Sequence, residues 1–328
     1  MASLQSIFKE ACELSNVLIS SLYQNLIARD DKANIPMAPR SDVNVECMLI
    51  FIWAVCIVVF MGFSRRYMWE PLGGVFLGTK SVADKRRFAD SFTELVFYSL
   101  FTWMGLNIYL THDWVWPSNK WWDGHYTDEM IMRNDLRALY LFDTSRYMAC
   151  LVSVLFMEHK RKDFAEMTIH HCATILVTVV AYFTDHSRIG SMVKVTMDPA
   201  DVPLHLAKAF NYGATHRKSK VMHFLADRLF EVFAVVFFFT RLGIFGYIMY
   251  SSTFEGRIKC SFTPIQNLGL SMLYIIYALQ IYWMGLIVNM AMKMARGDKL
   301  KDSRSDSEDS EDEADDKKKI ARKKKKSQ

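Results

Sequence analysis

The sequence is poor in what would mark a soluble enzyme, a secreted domain or a metalloprotein. Its six cysteines form no C-x-x-C pair and no zinc-type spacing, and Cys47, Cys56, Cys150 and Cys172 fall inside apolar runs. They read as free, mostly structural thiols, not as a disulfide framework. Residues 1–44 carry scattered charges and no short apolar core followed by a cleavage site, so no cleavable signal peptide is expected. The nine histidines do not build the repeated HxxHH or HxxxH clusters of an iron-dependent membrane hydroxylase or desaturase. Also missing is the alternation of polar and apolar faces that a soluble chain of 328 residues would show.

What is present is apolar mass in blocks. Hydrophobic residues make up 51% of the chain, with 23 Phe, 20 Met, 14 Tyr and 8 Trp. A membrane span needs roughly 20 mainly apolar residues. Seven blocks qualify: 47–63, 91–110, 136–157, 167–184, 189–210, 223–240 and 268–292. The expected fold is therefore an all-α integral membrane protein, a bundle of about seven transmembrane helices. The second, third, fifth and sixth blocks contain charges, whose faces are expected to turn inward.

Loop charges orient the bundle. Arg65, Arg66, Lys80, Lys85, Arg86 and Arg87 follow the first block, Lys160, Arg161 and Lys162 the third, and Arg217, Lys218 and Lys220 the fifth. The alternate loops hold fewer: Lys120 and Arg133, then Arg188, then Arg241, Arg257 and Lys259. The positive-inside rule places the richer set and the C-terminus in the cytosol and the N-terminus in the lumen. Trp114, Trp116, Trp121 and Trp122 in a poorer loop fit an aromatic belt. Around 7–27 the pattern suits an amphipathic helix on the membrane surface.

The tail changes character after Gly297. Residues 298–316 are rich in Ser, Asp and Glu, and 317–326 are almost all Lys or Arg. Such a segment buries no core and is expected to be disordered. Ser303, Ser305 and Ser310 each precede an acid by three residues, which suits an acid-directed kinase. Lys325 and Lys326 in the terminal KKSQ resemble a dilysine signal for retrieval to the endoplasmic reticulum.

The stretch RKDFAEMTIHHCATILVTVVAYF holds two adjacent histidines, His170 and His171, just inside an apolar run. The tight turn FTDHSR makes the fourth and fifth blocks antiparallel neighbours. Taking His186 as its midpoint sets His171 level with Asp201 and Thr174 level with Asp198. The two acids are three apart, on one helix face, and Pro199 and Pro203 should bend or open the helix beside them. Ionisable groups inside a bilayer are costly and mark function by default, although a polar cluster can also merely join helices. A His–Asp pair suits general acid–base work, imidazole also serves as a nucleophile toward an activated acyl group, and His with Asp can also ligate iron. Asp143 and Arg146 in the third block, and Asp227, Arg228 and Glu231 in the sixth, are expected to pair inside the bundle or to line its interior.

These residues carry a resemblance. The run from RKDF through the His pair, Gly190 and the MD-x-x-D-x-x-L set at 197–204 to AKAFNY resembles the longevity-assurance motif of ceramide synthases, within the TRAM–LAG–CLN8 (TLC) domain. FADSFTELVFYSLF and LQIYWMGLIVNM are further matches, and the likeness spans roughly 80–295. It implies transfer of a fatty acyl group from acyl-CoA to the amine of a sphingoid base, at the endoplasmic reticulum membrane. His170, His171, Asp198 and Asp201 would be the catalytic set. The basic residues Arg86, Arg87, Lys160, Arg161 and Lys162 would meet the acyl-CoA head, if they are more than topology determinants. Acyl-CoA is then a co-substrate, and no tightly bound cofactor or metal is expected. Membrane lipids, a homo- or heterodimer or a small accessory subunit are the partners in view, and nucleic acid is not. Met197 stands where many members have His, as in fungal relatives, and the loop after Phe63 is too short for the homeobox-like insert of many animal members. In the family, chain length is linked to the lumenal loop between the last two segments, here read as 241–267. Other TLC proteins are translocon adapters or membrane-lipid regulators, which is the alternative. The resulting division is 1–44 lumenal segment, 45–79 first span and cytosolic loop, 80–295 catalytic domain and 296–328 tail.

Overall fold

The computed structural model describes residues 4–27, 37–39, 43–123, 131–157 and 163–296. The tail, with Ser303, Ser305, Ser310, Lys325 and Lys326, and the basic residues Lys160, Arg161 and Lys162 lie outside them.

The helices are α1 (Leu4–Ile27), α2 (Val43–Ser64), α3 (Glu70–Leu77), α4 (Val82–Thr111), α5 (Asn134–Val152), α6 (Phe164–Phe183), α7 (Ser187–Met197), α8 (Asp201–Arg217), α9 (Lys220–Phe237), α10 (Phe245–Tyr250), α11 (Gly256–Lys259) and α12 (Pro264–Ala295). One short antiparallel ladder pairs Met37–Pro39 with Ile131–Arg133. Start and stop signals in the sequence set several helix ends. Ser81 caps α4 by accepting from the Asp84 amide, Ser219 caps α9 through Met222, and Thr263 with Gln266 forms a capping box before Pro264. Gly78 closes α3 in the left-handed conformation (φ 69°) that glycine adopts without penalty.

Five helical stretches are long and apolar enough to cross a bilayer: Val43–Leu77, Asn134–Phe156, Phe164–Phe183, Lys220–Lys259 and Pro264–Ala295. They present large apolar side chains outward, among them Phe51, Val59 and Phe239. The chain is a multi-pass membrane protein. The other two apolar blocks fall in α4 and in α7–α8. Asp84, Lys85, Arg86, Arg87, Asp90 and Glu94 lower the apolarity of α4, and Lys194, Asp198 and Asp201 that of α7–α8.

α7 lies deep in the bundle. It touches α4, α5, α6 and α10, and Ile189, Ser191, Met192, Val193, Lys194, Thr196 and Met197 are all buried. Only Gly190 lets α5 and α7 come this close. A Cβ there would run into the Tyr140 hydroxyl, which donates to the Ser187 carbonyl at 2.7 Å. The α6–α7 turn is as tight as the sequence implied, with Asp185 at φ 62°. α6 also packs on α12 and α5. Beside the turn Arg137 and Tyr182 both donate to Oε1 of the fully buried Glu46, at 2.6 and 2.9 Å, tying α2, α5 and α6 together.

Two expectations are corrected. The segment 241–267 is not a loop. The α9 helix runs on through π-helical turns at Phe238–Ile244 and Ser251–Glu255 as far as Lys259, because LGIFGYIMY continues the apolar pattern, and only 260–263 is non-helical. Arg241, counted above as a loop cation, is therefore buried within the bundle. Secondly, Arg228 and Glu231 do not face the interior. They are 55% and 51% exposed and pair with each other at 2.6 Å, an i,i+3 contact near the start of α9 where long side chains can reach the membrane surface.

Candidate active site

Pro199 and Pro203 shape the site. Neither has an amide hydrogen to donate to the residue four before it, so the helix cannot continue regularly through them. α7 stops at Met197, Asp198–Ala200 tightens into a 3₁₀ turn, and α8 begins at Asp201. The Met197 carbonyl takes Arg241 instead, accepting from Nε at 3.0 Å and Nη2 at 2.6 Å. Both acids of the turn are buried, Asp198 4% and Asp201 9% exposed.

Each of these carboxylates meets a guanidinium. Arg146 donates to Asp198 at 3.1 Å and to Asp143, one turn away on α5, at 3.1 and 3.2 Å. Lys194 also bonds the second oxygen of Asp143 and reaches Thr178 of α6 at 3.3 Å. Arg241 donates to Asp201 and to Gln280 of α12 at 3.4 Å. Three acids thus balance three bases, all buried. Such a set survives in an apolar interior because every charge is paired, and losing one member strands its partner at a cost of about 3–5 kcal/mol. The Arg146 guanidinium also lies over the rings of Tyr98, Phe101 and Tyr147, at 5.1, 4.5 and 4.6 Å.

The histidine pair borders this cluster. Tyr147 lies 6.3 Å from the His170 ring and 5.8 Å from the His171 ring, centroid to centroid, while its other neighbour is Arg146. His170 meets the indole of Trp283 edge-on at 5.3 Å. Nδ1 of His170 is buried and makes no hydrogen bond. His171 is 6% exposed. Neighbouring helical residues point about 100° apart, so the two rings meet different surroundings. Among the described residues, no three His, Cys, Asp or Glu side chains converge as metal ligands would.

The four residues singled out from the sequence therefore gather in one region, with Asp143 and Arg146 beside them. Asp198 and Asp201 bond arginines, and Tyr147 joins that ionic group to the imidazoles. Sequence reasoning missed Tyr98, Tyr147, Lys194, Gln280 and Trp283. Two of them had a usable signal: Lys194 precedes Asp198 by four residues, and Tyr147 follows Asp143 by four, each pair on one helix face. Of the basic residues expected to meet a charged head group, Arg86 is exposed near the start of α4, 3.7 Å from Glu70, and Arg87 is half-buried beside it.

The fold is thus an apolar membrane bundle that holds a charge-neutral buried cluster against a histidine pair. The chain belongs to the TLC domain family, whose model matches residues 87–289. It is 34% identical to ceramide synthase 4 of Bos taurus over 227 residues, covering 68% of this chain and 55% of that protein. It is 30% identical to ceramide synthase 5 of Homo sapiens over 232 residues, covering 70% and 56%. Identity to ceramide synthase LOH2 of Arabidopsis thaliana is 26% over 287 residues, covering 80% and 94%. The chain spans about half the length of the mammalian relatives it matches.

Proposed function

We propose that the protein is a ceramide synthase, an enzyme of the endoplasmic reticulum membrane that transfers an acyl group from acyl-CoA to the amine of a sphingoid base. The observation that carries this reading is the His170–His171 pair, with a buried, unbonded imidazole nitrogen, set against Tyr147 and the Arg146–Asp143–Asp198–Lys194 group. The names of the relatives support it.

An imidazole nitrogen bonds to the thioester carbonyl carbon and the carbon–sulfur bond breaks; the amine nitrogen then bonds to the same acyl carbon, the carbon–imidazole bond breaks, and the proton lost by the amine passes through an imidazole to the released thiolate. Nothing is oxidised or reduced. His171 is the base in this scheme. His170, whose Nδ1 is free, attacks the thioester first, and the amine then displaces it. Arg146 and Arg241, held in place by Asp198 and Asp201, put fixed positive charge beside the centre, where the carbonyl oxygen becomes negative. The carboxylates keep these arginines desolvated without leaving a net charge.

Seven crossings follow if α4 and the α7–α8 pair span with the five more apolar stretches, which leaves the N-terminus lumenal and the tail cytosolic. The acyl-CoA head then lies near Arg86 and Arg87. Incubating the purified protein with acyl-CoA and a sphingoid base tests the reading: amide and free CoA are expected in equal amounts. No amide with any chain length points instead to a non-enzymatic adapter or regulator.

A further inference from the structure

We propose that Trp122 forms the floor of the acyl-chain pocket and, together with His186, limits the chain to about sixteen carbons. This rests on the acyl-transfer reading and adds to it a specificity-determining residue.

A cavity lies between α6, α7 and α12, walled by Val177, Val180, Val193, Leu270 and Leu273. Lys194 and Thr178, both joined to the ionic cluster, line it too, and so do Trp122, His186 and Phe262. On α6 the residues His171, Thr174, Thr178 and Ala181 recur at helical spacing, so one face runs from the histidine pair toward the cavity, whose lining takes in Thr178 and Ala181. Thr184, also in the lining, ends that face thirteen residues beyond His171. At 1.5 Å per residue this is about 20 Å. An extended chain of ~1.5 Å carbon–carbon bonds advances about 1.25 Å per carbon, so a chain of about sixteen carbons held at His171 would reach Thr184, its far half lying in the cavity that begins at Val177.

The floor is three rings from three separate connections. Trp122 lies 5.8 Å from His186 and 6.0 Å from Phe262, and His186 is 5.6 Å from Phe262. Phe262 sits in the short segment between α11 and α12, where the family resemblance already places chain-length control. Trp122 and His186 come from elsewhere in the chain. A length stop must be rigid, and Trp122 is. Its Nε1 donates to Ser251 at 2.9 Å, and Ser251 donates to Glu255 at 2.6 Å. Glu255 also accepts from Ser118 at 3.1 Å, and Lys259 clamps Asp123 at 2.6 Å and the Asn119 carbonyl at 2.8 Å. The backbone at Gly256 lies so close beneath the indole that a Cβ there would approach it to 2.6 Å.

The test gives the full-length protein, in lipid nanodiscs, an equimolar mixture of saturated acyl-CoAs from twelve to twenty-six carbons with one sphingoid base. Amides are then resolved by mass. Wild type is expected to peak near sixteen carbons. Trp122→Ala and His186→Ala should move the peak up by two carbons or more. Val177→Phe, which narrows the cavity without touching the floor, should move it down. If Trp122→Ala does not fold, His186→Ala and Val177→Phe decide the matter alone. Amide formation with the same length profile in every folded variant overturns the floor and leaves the acyltransferase standing. No amide from wild type overturns both.

Discussion

At the scale of single residues, the candidate site pairs its buried acids with buried bases, and Nδ1 of His170 beside them makes no hydrogen bond. Asp198→Asn and Asp201→Asn keep side-chain shape but remove one of the two counter-charges of Arg146 and the counter-charge of Arg241. Each is expected to lower amide formation by roughly 100-fold or more, the size of a positioned acid–base or electrostatic contribution. Steady-state rates beside thermal unfolding of the detergent-solubilised protein check this, and near-normal turnover in both variants would reduce the acids to helix glue. Tyr147→Phe keeps the ring between Arg146 and the histidines, so it should cost far less than Tyr147→Ala. The role of His170 is separable from that of His171. With acyl-CoA and no amine, the scheme predicts a stoichiometric burst of CoA and an acyl mass on the His170 peptide. Release of CoA only when amine is present would leave the pair as acid–base machinery.

Among the helices, α7 is where the fold and the chemistry meet. Gly190→Ala pushes a methyl group into the Tyr140 hydroxyl and should cost about 1–3 kcal/mol, as overpacking does. Tyr140→Phe removes the clashing oxygen, so the double variant should recover part of that loss, a coupling that a double-mutant cycle in thermal or denaturant unfolding reads directly. The turn before α7 also predicts a pH effect. Burial pushes the His186 imidazole below its ordinary pKa, against a bond to the Thr184 carbonyl that favours the proton. Its contribution to stability is then complete above about pH 6.5 and is lost as the pH falls below that, because the unfolded chain binds the proton more readily. Unfolding temperatures between pH 7.5 and 5.5 should fall less steeply in His186→Phe than in wild type.

The molecule as a whole was legible in its apolar blocks and less so in its polar partners. Blocks at 47–63, 136–157, 167–184, 223–240 and 268–292 fall, to within a residue at their ends, inside stretches long and apolar enough to span, because twenty apolar residues are a strong signal. The continuous helix through Arg241 was missed because a lone arginine in an aromatic run reads as the end of a span. The helix continues because Asp201, the Met197 carbonyl and Gln280 satisfy that arginine inside the bundle. The histidines and acids stood out as polar residues in apolar runs. Tyr98, Tyr147 and Trp283 did not, since an aromatic ring in a membrane helix looks like core until its neighbours are known. The tail lies outside the described residues, and its composition predicts regulation without chemistry. Removing 298–328 should leave amide formation by the purified protein within about two-fold. Lys325→Ser with Lys326→Ser should by itself let protein leave the endoplasmic reticulum, visible by microscopy against a resident marker.

The central claim is that acyl transfer takes place at the histidine pair. The most direct measurement is the rate of amide formation by wild type, His170→Ala and His171→Ala at equal concentrations of folded protein in nanodiscs, with saturating acyl-CoA and sphingoid base. Both variants are expected to insert and unfold like wild type, and each to form amide at least about 1,000-fold more slowly, as removal of a nucleophile or its base does. Turnover within a few-fold of wild type in either variant would contradict the account, since the chemistry would then lie elsewhere in the bundle.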